Sequence, residues 1–283
     1  ALLEFASSPV RHDEHAVAFR LEALRYEFDE RHRLTITTHQ IYRIDAPEAV
    51  ESYGQIGSVW EPYRQTKPVL RARVVTPGGR EHQFDPATLS DETVATGDAR
   101  KFDDLHYLRG PLPAIANGSV VEILAVVADV EPKFPSGSSF DVLVGAHGAV
   151  ESTSVTVVTP RSLPFKYRTE LLPQAVISEE DAGAARRFTL RQGPLVLDWN
   201  DTYVEASGPA PFWPRLEFST AGSWGEVAAA YANLVEPTIR PDEVRQLLPA
   251  DLPADTRQRI TRLLGILHER VRYTGVFFGQ GDI

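Results

Sequence analysis

The 283-residue chain contains no cysteine. That excludes disulfides, thiolate-bound zinc and any reaction led by a sulfur nucleophile. It leaves the compartment open, since many exported proteins also lack the residue. Methionine is absent too, the initiator included, so the sequence is expected to be a processed or excised piece. No apolar run is long enough to cross a bilayer as a helix, and Ala1–Val10 has neither the charged start nor the apolar stretch of a signal peptide. Lysine occurs only at positions 67, 101, 133 and 166. With a net charge of −10 and no basic stripe, a nucleic-acid or anionic-membrane surface is disfavoured.

Strand signals fill the first two hundred residues. Val17, Phe19, Leu21 and Ala23 alternate with polar residues, and the phase then slips to Leu24, Tyr26 and Phe28. Leu34, Ile36 and Thr38 open a second run that continues through Ile41 and Tyr42. Alternation at period two places one face in a core and the other in water. Val69–Val75 and Arg80–Phe84 flank Pro77-Gly78-Gly79, a hairpin signal because glycine supplies the positive φ a tight turn requires. Ser119–Val130 is long and apolar, which suits a central strand covered on both faces. Asp141–Val144, Ser152–Val158, Phe165–Leu171, Arg187–Arg191 and Leu195–Trp199 add short strands between turn residues. The pattern predicts a mainly β protein, an antiparallel β-sandwich with one or two sheet subdomains. Ser90–Leu108, with mixed charge, reads as irregular, and Lys101-Phe102-Asp103-Asp104 within it reads as a loop folded over an edge.

Gly208-Pro209-Ala210-Pro211-Phe212-Trp213-Pro214 is a proline-dense linker. The domain boundary is placed there, giving a β domain over 1–214 and a small all-α segment over 215–283, with Arg215–Ser219 as a last strand. Ser223 and Glu226 form a capping box ahead of Trp224, Val227, Ala228, Tyr231 and Leu234 at helical spacing. Pro241 can begin a second helix bearing Val244, Leu247 and Leu248. Asp255 with Gln258 caps a third, on which Ile260, Leu263, Leu264, Leu267 and Val271 make one apolar stripe. The stripe is expected to pack back on the sandwich or to form a dimer contact.

No motif commits the chain to chemistry. His12-Asp13-Glu14-His15 has metal-ligand residue types, but it lacks a third fixed ligand and reads as solvated surface. The histidines at 32, 39, 82, 106, 147 and 268 are scattered, with His268 on a helix surface. No Gly-x-Ser-x-Gly elbow is present, and Gly137-Ser138-Ser139 falls in a turn. Glu179-Glu180-Asp181 and Asp103-Asp104 read as charge runs in solvated loops, because a catalytic carboxylate pair needs environments that split its two pKa values. Gly279-Gln280-Gly281 is too short for a phosphate cradle. Asn117-Gly118-Ser119 and Asn200-Asp201-Thr202 fit the N-glycosylation pattern, and Asn117-Gly118 also serves as a turn. Trp213 and Trp224 are expected at the domain junction; Trp60 has no preferred place.

Three stretches carry a family resemblance. They are Val69-Leu70-Arg71-Ala72-Arg73-Val74-Val75-Thr76-Pro77-Gly78-Gly79; Leu112-Pro113-Ala114-Ile115-Ala116-Asn117-Gly118-Ser119-Val120-Val121-Glu122; and Ser223-Trp224-Gly225-Glu226-Val227-Ala228 with Val271-Arg272-Tyr273-Thr274-Gly275. In this order they resemble the bacterial DUF3857 domain followed by the first helices of a transglutaminase-like domain. The resemblance implies a β-sandwich in exported or envelope-associated proteins, periplasmic or extracellular, ahead of a papain-like Cys-His-Asp domain. A Gly-Asp-Cys segment then follows the equivalent of Gly279-Gln280-Gly281. No catalytic, metal or cofactor residue carries over onto this chain. The expected role is therefore a non-catalytic accessory module that positions the remainder of the transglutaminase-like domain or binds an extended peptide or glycan. The alternative is the regulatory half of an active cysteine peptidase or transglutaminase whose nucleophile lies downstream of Ile283. A third is a structural module whose apolar stripe pairs with another chain. Oligomeric state stays open.

Overall fold

A computed structural model describes residues 4–5, 16–94, 101–145, 149–195, 213–246, 248–270 and 275–277. It divides into two units. The first comprises Ala1–Val94 and Leu105–Gly222; the second comprises Ala95–Asp104 and Ser223–Ile283.

The first unit is built on β1 (Val17–Phe28), β2 (Leu34–Ile44), β3 (Gln55–Trp60), β4 (Val69–Val75), β5 (Glu81–Gln83) and β6 (Ser90–Thr93). After an excursion into the second unit the chain returns through β8 (His106–Pro111), β9 (Val120–Ala128), β10 (Ser139–Leu143) and β11 (Thr153–Pro160). It ends on β12 (Lys166–Glu170), β13 (Val176–Ala182), β14 (Ala185–Gln192) and β15 (Arg215–Ser219). One eight-stranded sheet runs β13-β14-β11-β1-β2-β9-β4-β5. Its neighbours are antiparallel except β1 and β11, which run parallel. Two three-stranded sheets, β3-β8-β6 and β10-β15-β12, complete the layers. The expected mainly β, antiparallel-rich architecture with a small helical end is what the chain adopts.

Two cores line the long sheet. One gathers Val17, Phe19, Tyr42, Ile44, Leu70 and Val74 with Ile56 of β3 and Leu108 of β8. The other gathers Tyr26, Phe28, Leu34, Val155 and Leu190 with Val142 of β10 and Leu216 and Phe218 of β15. In β2 the inward residues Leu34, Ile36, Tyr42 and Ile44 share one parity, so both cores lie on the same face of the sheet. β1 keeps step with it through a register shift between Phe19 and Leu21. The phase slip expected after Ala23 thus falls three residues earlier, at Arg20. Leu21 and Ala23 turn to the other face, and Glu22, 3% exposed, takes an inward position.

The hairpin β4–β5 forms as expected, with Gly79 at φ 80° and its N–H bonded to Thr76 O at 2.8 Å. β9 lies inside the sheet between β2 and β4. Val121, Ile123 and Ala125 meet the first core, and Val120 packs with Phe5 and Val75 on the opposite face. Ser90–Leu108 is more regular than expected, because Ser90–Thr93 pairs with His106–Arg109, and Lys101–Asp103, expected as a loop, is a strand paired in parallel with Gly275–Phe277. Glu179-Glu180-Asp181 lies in the edge strand β13 and not in a loop. Of Leu195–Trp199, only Leu195 is among the described residues, in a bridge to Val150.

The division falls after Gly222, later than the expected 214/215 boundary. The reason is β15, whose Leu216 and Phe218 are 0% and 2% exposed in the second core. The linker Gly208–Pro214 lies outside the described residues apart from Trp213 and Pro214.

The second unit holds β7 (Lys101–Asp103), α2 (Trp224–Val235), α3 (Pro241–Gln246), α4 (Thr256–Arg270) and β16 (Gly275–Phe277); α1 (Ala49–Ser52) is a single turn in the first unit. Ser223 Oγ accepts the Glu226 N–H at 3.2 Å, and Asp255 Oδ1 accepts that of Gln258 at 2.9 Å, so both expected helix starts are capped. The apolar stripe of α4 is not buried: Ile260, Leu264 and Leu267 are 53%, 49% and 50% exposed. Trp224, at the start of α2, is 86% exposed. Val271 lies outside the described residues.

These exposures separate two substitutions. Leu216→Ala is expected to destabilise the β unit by about 2–5 kcal/mol, the cost of a cavity in a packed core. Leu264→Asp is expected to change stability by no more than about 0.5 kcal/mol, as at a surface position. Denaturant melts of the two variants, followed by circular dichroism, check both values.

Candidate functional site

The three-stranded sheet β3-β8-β6 brings together side chains from four separate stretches of chain. Trp60 of β3 faces His106 of β8, and His106 faces Thr93 of β6. Asp91, two residues before Thr93, therefore stands on the same face as His106. It accepts hydrogen bonds from His106 Nδ1 at 3.0 Å and from Trp60 Nε1 at 3.3 Å. Lys67, from the connection between β3 and β4, brings Nζ to 3.0 Å of the same carboxylate. The Trp60 and His106 rings meet edge-on with centroids 5.6 Å apart.

This geometry sets the electrostatics. Partial loss of water pushes the Asp91 carboxyl up, but the bonds from His106, Lys67 and Trp60 outweigh it and hold the group below its ordinary value. A carboxylate only accepts, so His106 carries its proton on Nδ1 toward Asp91. Nε2 then points away from the carboxylate and bonds nothing among the described residues. An oriented imidazole can bind a donor or relay a proton. No serine, threonine or other nucleophile is hydrogen-bonded to it among the described residues, so the cluster lacks the second member of a nucleophile–base pair.

The opposite face of the same sheet is also ordered. Arg109 donates to Glu92 at 2.8 Å and lies over the Tyr107 ring at 5.8 Å. Tyr107 lies across Gly57, where an added Cβ would stand 2.5 Å from the Tyr107 hydroxyl oxygen. Glycine is needed at 57 for this close approach.

A second cluster sits on the face of the eight-stranded sheet away from the two cores. Glu122 of β9 bonds His39 Nε2 of β2 at 2.9 Å and also Arg73 of β4, whose guanidinium reaches Glu81 at 3.6 Å. Burial pushes the Glu122 carboxyl up, and the bonds from His39 and Arg73 reverse this and hold it low. At another corner of this face Arg43 pairs with Asp45 at 2.5 Å, both nearly buried, and stacks on Phe5 at 5.2 Å.

The residues weighed in the sequence fall elsewhere. His12-Asp13-Glu14-His15, His147, Asn200-Asp201-Thr202 and Gly279-Gln280-Gly281 lie outside the described residues, and no metal-ligating cluster occurs among those described. Ser119 of the Asn117-Gly118-Ser119 pattern is 0% exposed, and its Oγ accepts the Ala116 N–H at 3.0 Å. This bond, with Gly118 at φ 82°, makes the segment a turn as expected. His268 is exposed on α4. His39 and His106 were not singled out by sequence reasoning. Their carboxylate partners lie 83 and 15 residues away, across strand pairs, and only the register brings them together.

A family model described as a domain of unknown function with solved structure, DUF3857, matches residues 30–195. The chain belongs to the DUF3857 family. No curated protein matches it. Among solved structures, one of Parabacteroides distasonis described as a "putative protease" superposes with a TM-score of 0.63 at 12% identity, covering 94% of this chain and 56% of that one. The chain thus spans little more than half of that neighbour's length. A "putative nutrient binding protein" of Legionella pneumophila reaches a TM-score of 0.33 at 8% identity over 90% of this chain and 87% of that one. An M1 zinc metallopeptidase of Deinococcus radiodurans reaches 0.37 at 10% identity over 72% and 42%.

The Glu122 cluster has a pH signature. Its carboxyl is held below the ordinary value, so its contribution to stability is present above the unfolded pKa of about 4.3. The contribution is lost as pH falls through the lower folded value. Glu122→Gln is expected to lower stability near neutrality and to flatten the acid limb of the profile. Thermal melts of both proteins from about pH 7 down to pH 3 measure the difference.

Proposed function

We propose that this chain is the non-catalytic accessory part of a transglutaminase-like protein. Its β module positions the unit that begins with α2 and offers a sheet face or edge to an extended peptide or glycan. The observation that carries this reading is the discontinuity of the second unit. Residues Ala95–Asp104 leave the β module between β6 and β8 and contribute β7, which pairs in parallel with β16 near the far end of the chain. The chain passes between the units three times, after Val94, Asp104 and Gly222. A simple tethered domain needs a single linker. Here a segment that interrupts the β module's sequence forms a strand of the second unit.

The resemblance of Ser223–Ala228 and Gly275 to transglutaminase-like signatures supports the identity of that unit, and the absence of cysteine supports a binding role. By the same resemblance the protein works in the periplasm or at the cell envelope. A second reading, favoured by the longer neighbour described as a protease, makes the chain the regulatory part of an active cysteine peptidase or transglutaminase.

Positioning is tested at β7. Phe102 is paired with Val276, and proline there removes a backbone donor from the strand. Phe102→Pro is expected to speed amide exchange across 275–277 and through α2 and α4, while β2 and β9 keep their protection. Unchanged exchange in the second unit would remove the positioning role. The intact chain is expected to turn over no amide, ester or glutamine donor; turnover abolished by one substitution within residues 1–283 would overturn the non-catalytic reading.

A further inference from the structure

β6 is an edge strand of Ser90, Asp91, Glu92 and Thr93, all four exposed. It has no apolar side chain to bury, so the hydrophobic effect that holds β3 and β8 through Ile56 and Leu108 does not act on it. Hydrogen bonds are what remain. Backbone pairing runs from Ser90 opposite Arg109 to Thr93 opposite His106, and the last rung is the Val94 N–H to Leu105 O at 2.8 Å. Beyond that rung the chain departs on the excursion that supplies β7.

A short polar edge strand held by its backbone alone frays readily. β6 is instead fastened from both faces. On one, Asp91 takes donors from β8 (His106), from β3 (Trp60) and from the β3–β4 connection (Lys67). On the other, Glu92 receives Arg109 of β8. Of these, Asp91 is the residue that ties β6 to more than its own neighbour. Trp60 in turn packs against the first core, so the carboxylate links the polar strand to the rigid part of the module.

We infer that Asp91 is a positioning residue. By collecting Trp60, Lys67 and His106 it clamps the neck of the excursion and fixes where the chain leaves and re-enters the β module. The parallel pairing of β7 with β16 then depends on a cluster that touches neither strand in sequence. This regulates the positioning role proposed above and rests on that reading.

The test is hydrogen exchange by mass spectrometry on the whole chain with Asp91→Ala, Asp91→Asn and Trp60→Phe. Loss of one charge-assisted hydrogen bond corresponds to roughly a tenfold change in a local opening equilibrium. Asp91→Ala is expected to speed exchange across 101–103 and 275–277 by at least about that factor. Asn, which still accepts, should give a smaller effect, as should Phe, which removes the indole donor together with part of the ring that packs on the first core. β2 and β9 should stay protected throughout. Wild-type exchange at 101–103 and 275–277 in Asp91→Ala would overturn the inference. So would an equal acceleration over the whole eight-stranded sheet, which would mark a general stability role. If Phe102→Pro loosens the second unit and Asp91→Ala does not, the clamp falls and the positioning role stands. If both are silent, both fall.

Discussion

A β-sheet that buries one face tolerates no uncompensated slip in alternation, because a shift of one residue turns every later side chain to the wrong side. This constraint governs the first unit. β2 passes from one core to the other without interruption, so Leu34 and Ile44 point the same way. β1, paired to it along its whole length, must do the same. The register shift at Arg20 lets Phe19 join the first core and Tyr26 and Phe28 the second. Without it β1 would serve one core and expose the other half of its apolar residues. The two small sheets then cap the two cores separately. The excursion, the clamp and β15 take their places from that arrangement.

Charged groups occupy the places where this plan meets an end. Arg64 reaches Asp129 at 2.7 Å and also pairs with Glu61, and Asp129 accepts the Leu34 N–H at 3.1 Å. Burial raises the Asp129 pKa despite the Gln65 and Arg64 contacts that oppose it. Such a group costs desolvation and is weak ground for a claim of stability. Its geometric effect is plain, however. It ties the β3–β4 connection to the adjoining ends of β2 and β9. Arg43 with Asp45 and Phe5 performs a comparable function on the other face, where a guanidinium stacked on an aromatic ring loses little by leaving water.

Local chemistry made much of the fold legible. Pro77-Gly78-Gly79 marked its hairpin because a positive φ at Gly79 is a one-residue requirement. Val120–Ala128 marked an interior strand by apolar length, and Ser223 and Asp255 marked helix starts because a cap acts within one turn. What stayed hidden depends on partners far along the chain. β6 reads Ser-Asp-Glu-Thr, and β13 carries Glu-Glu-Asp; neither has an apolar alternation, and both are strands because a neighbour offers an edge. The bulge at Arg20 is set by the register of β2, which no window around residue 20 contains. The site was hidden for the same reason. Asp91 and His106 meet across a hairpin whose intervening residues belong to another unit, and Glu122 meets His39 only through the β2–β9 register. The α4 stripe carried the opposite lesson: helical apolar spacing reports a face able to be covered, and in this chain Ile260, Leu264 and Leu267 remain half exposed.

The discontinuous second unit has a consequence for how the two parts can evolve and fold. A unit joined by one linker can be exchanged or lost without disturbing its neighbour. One that borrows β7 from inside its neighbour's chain cannot, because Lys101 and Gly275 must come together across most of the β module's sequence. Closing so long a loop costs entropy before any contact rewards it, although that cost grows slowly with length. If β6 and β8 pair first, the two ends of the excursion are already held at the Val94–Leu105 rung, and only the short segment between them has to find β16. A polar edge strand fastened by Asp91 is suited to this order of events. Its hydrogen bonds form locally across one hairpin, and they fix the departure point of β7 without requiring the second unit to be present.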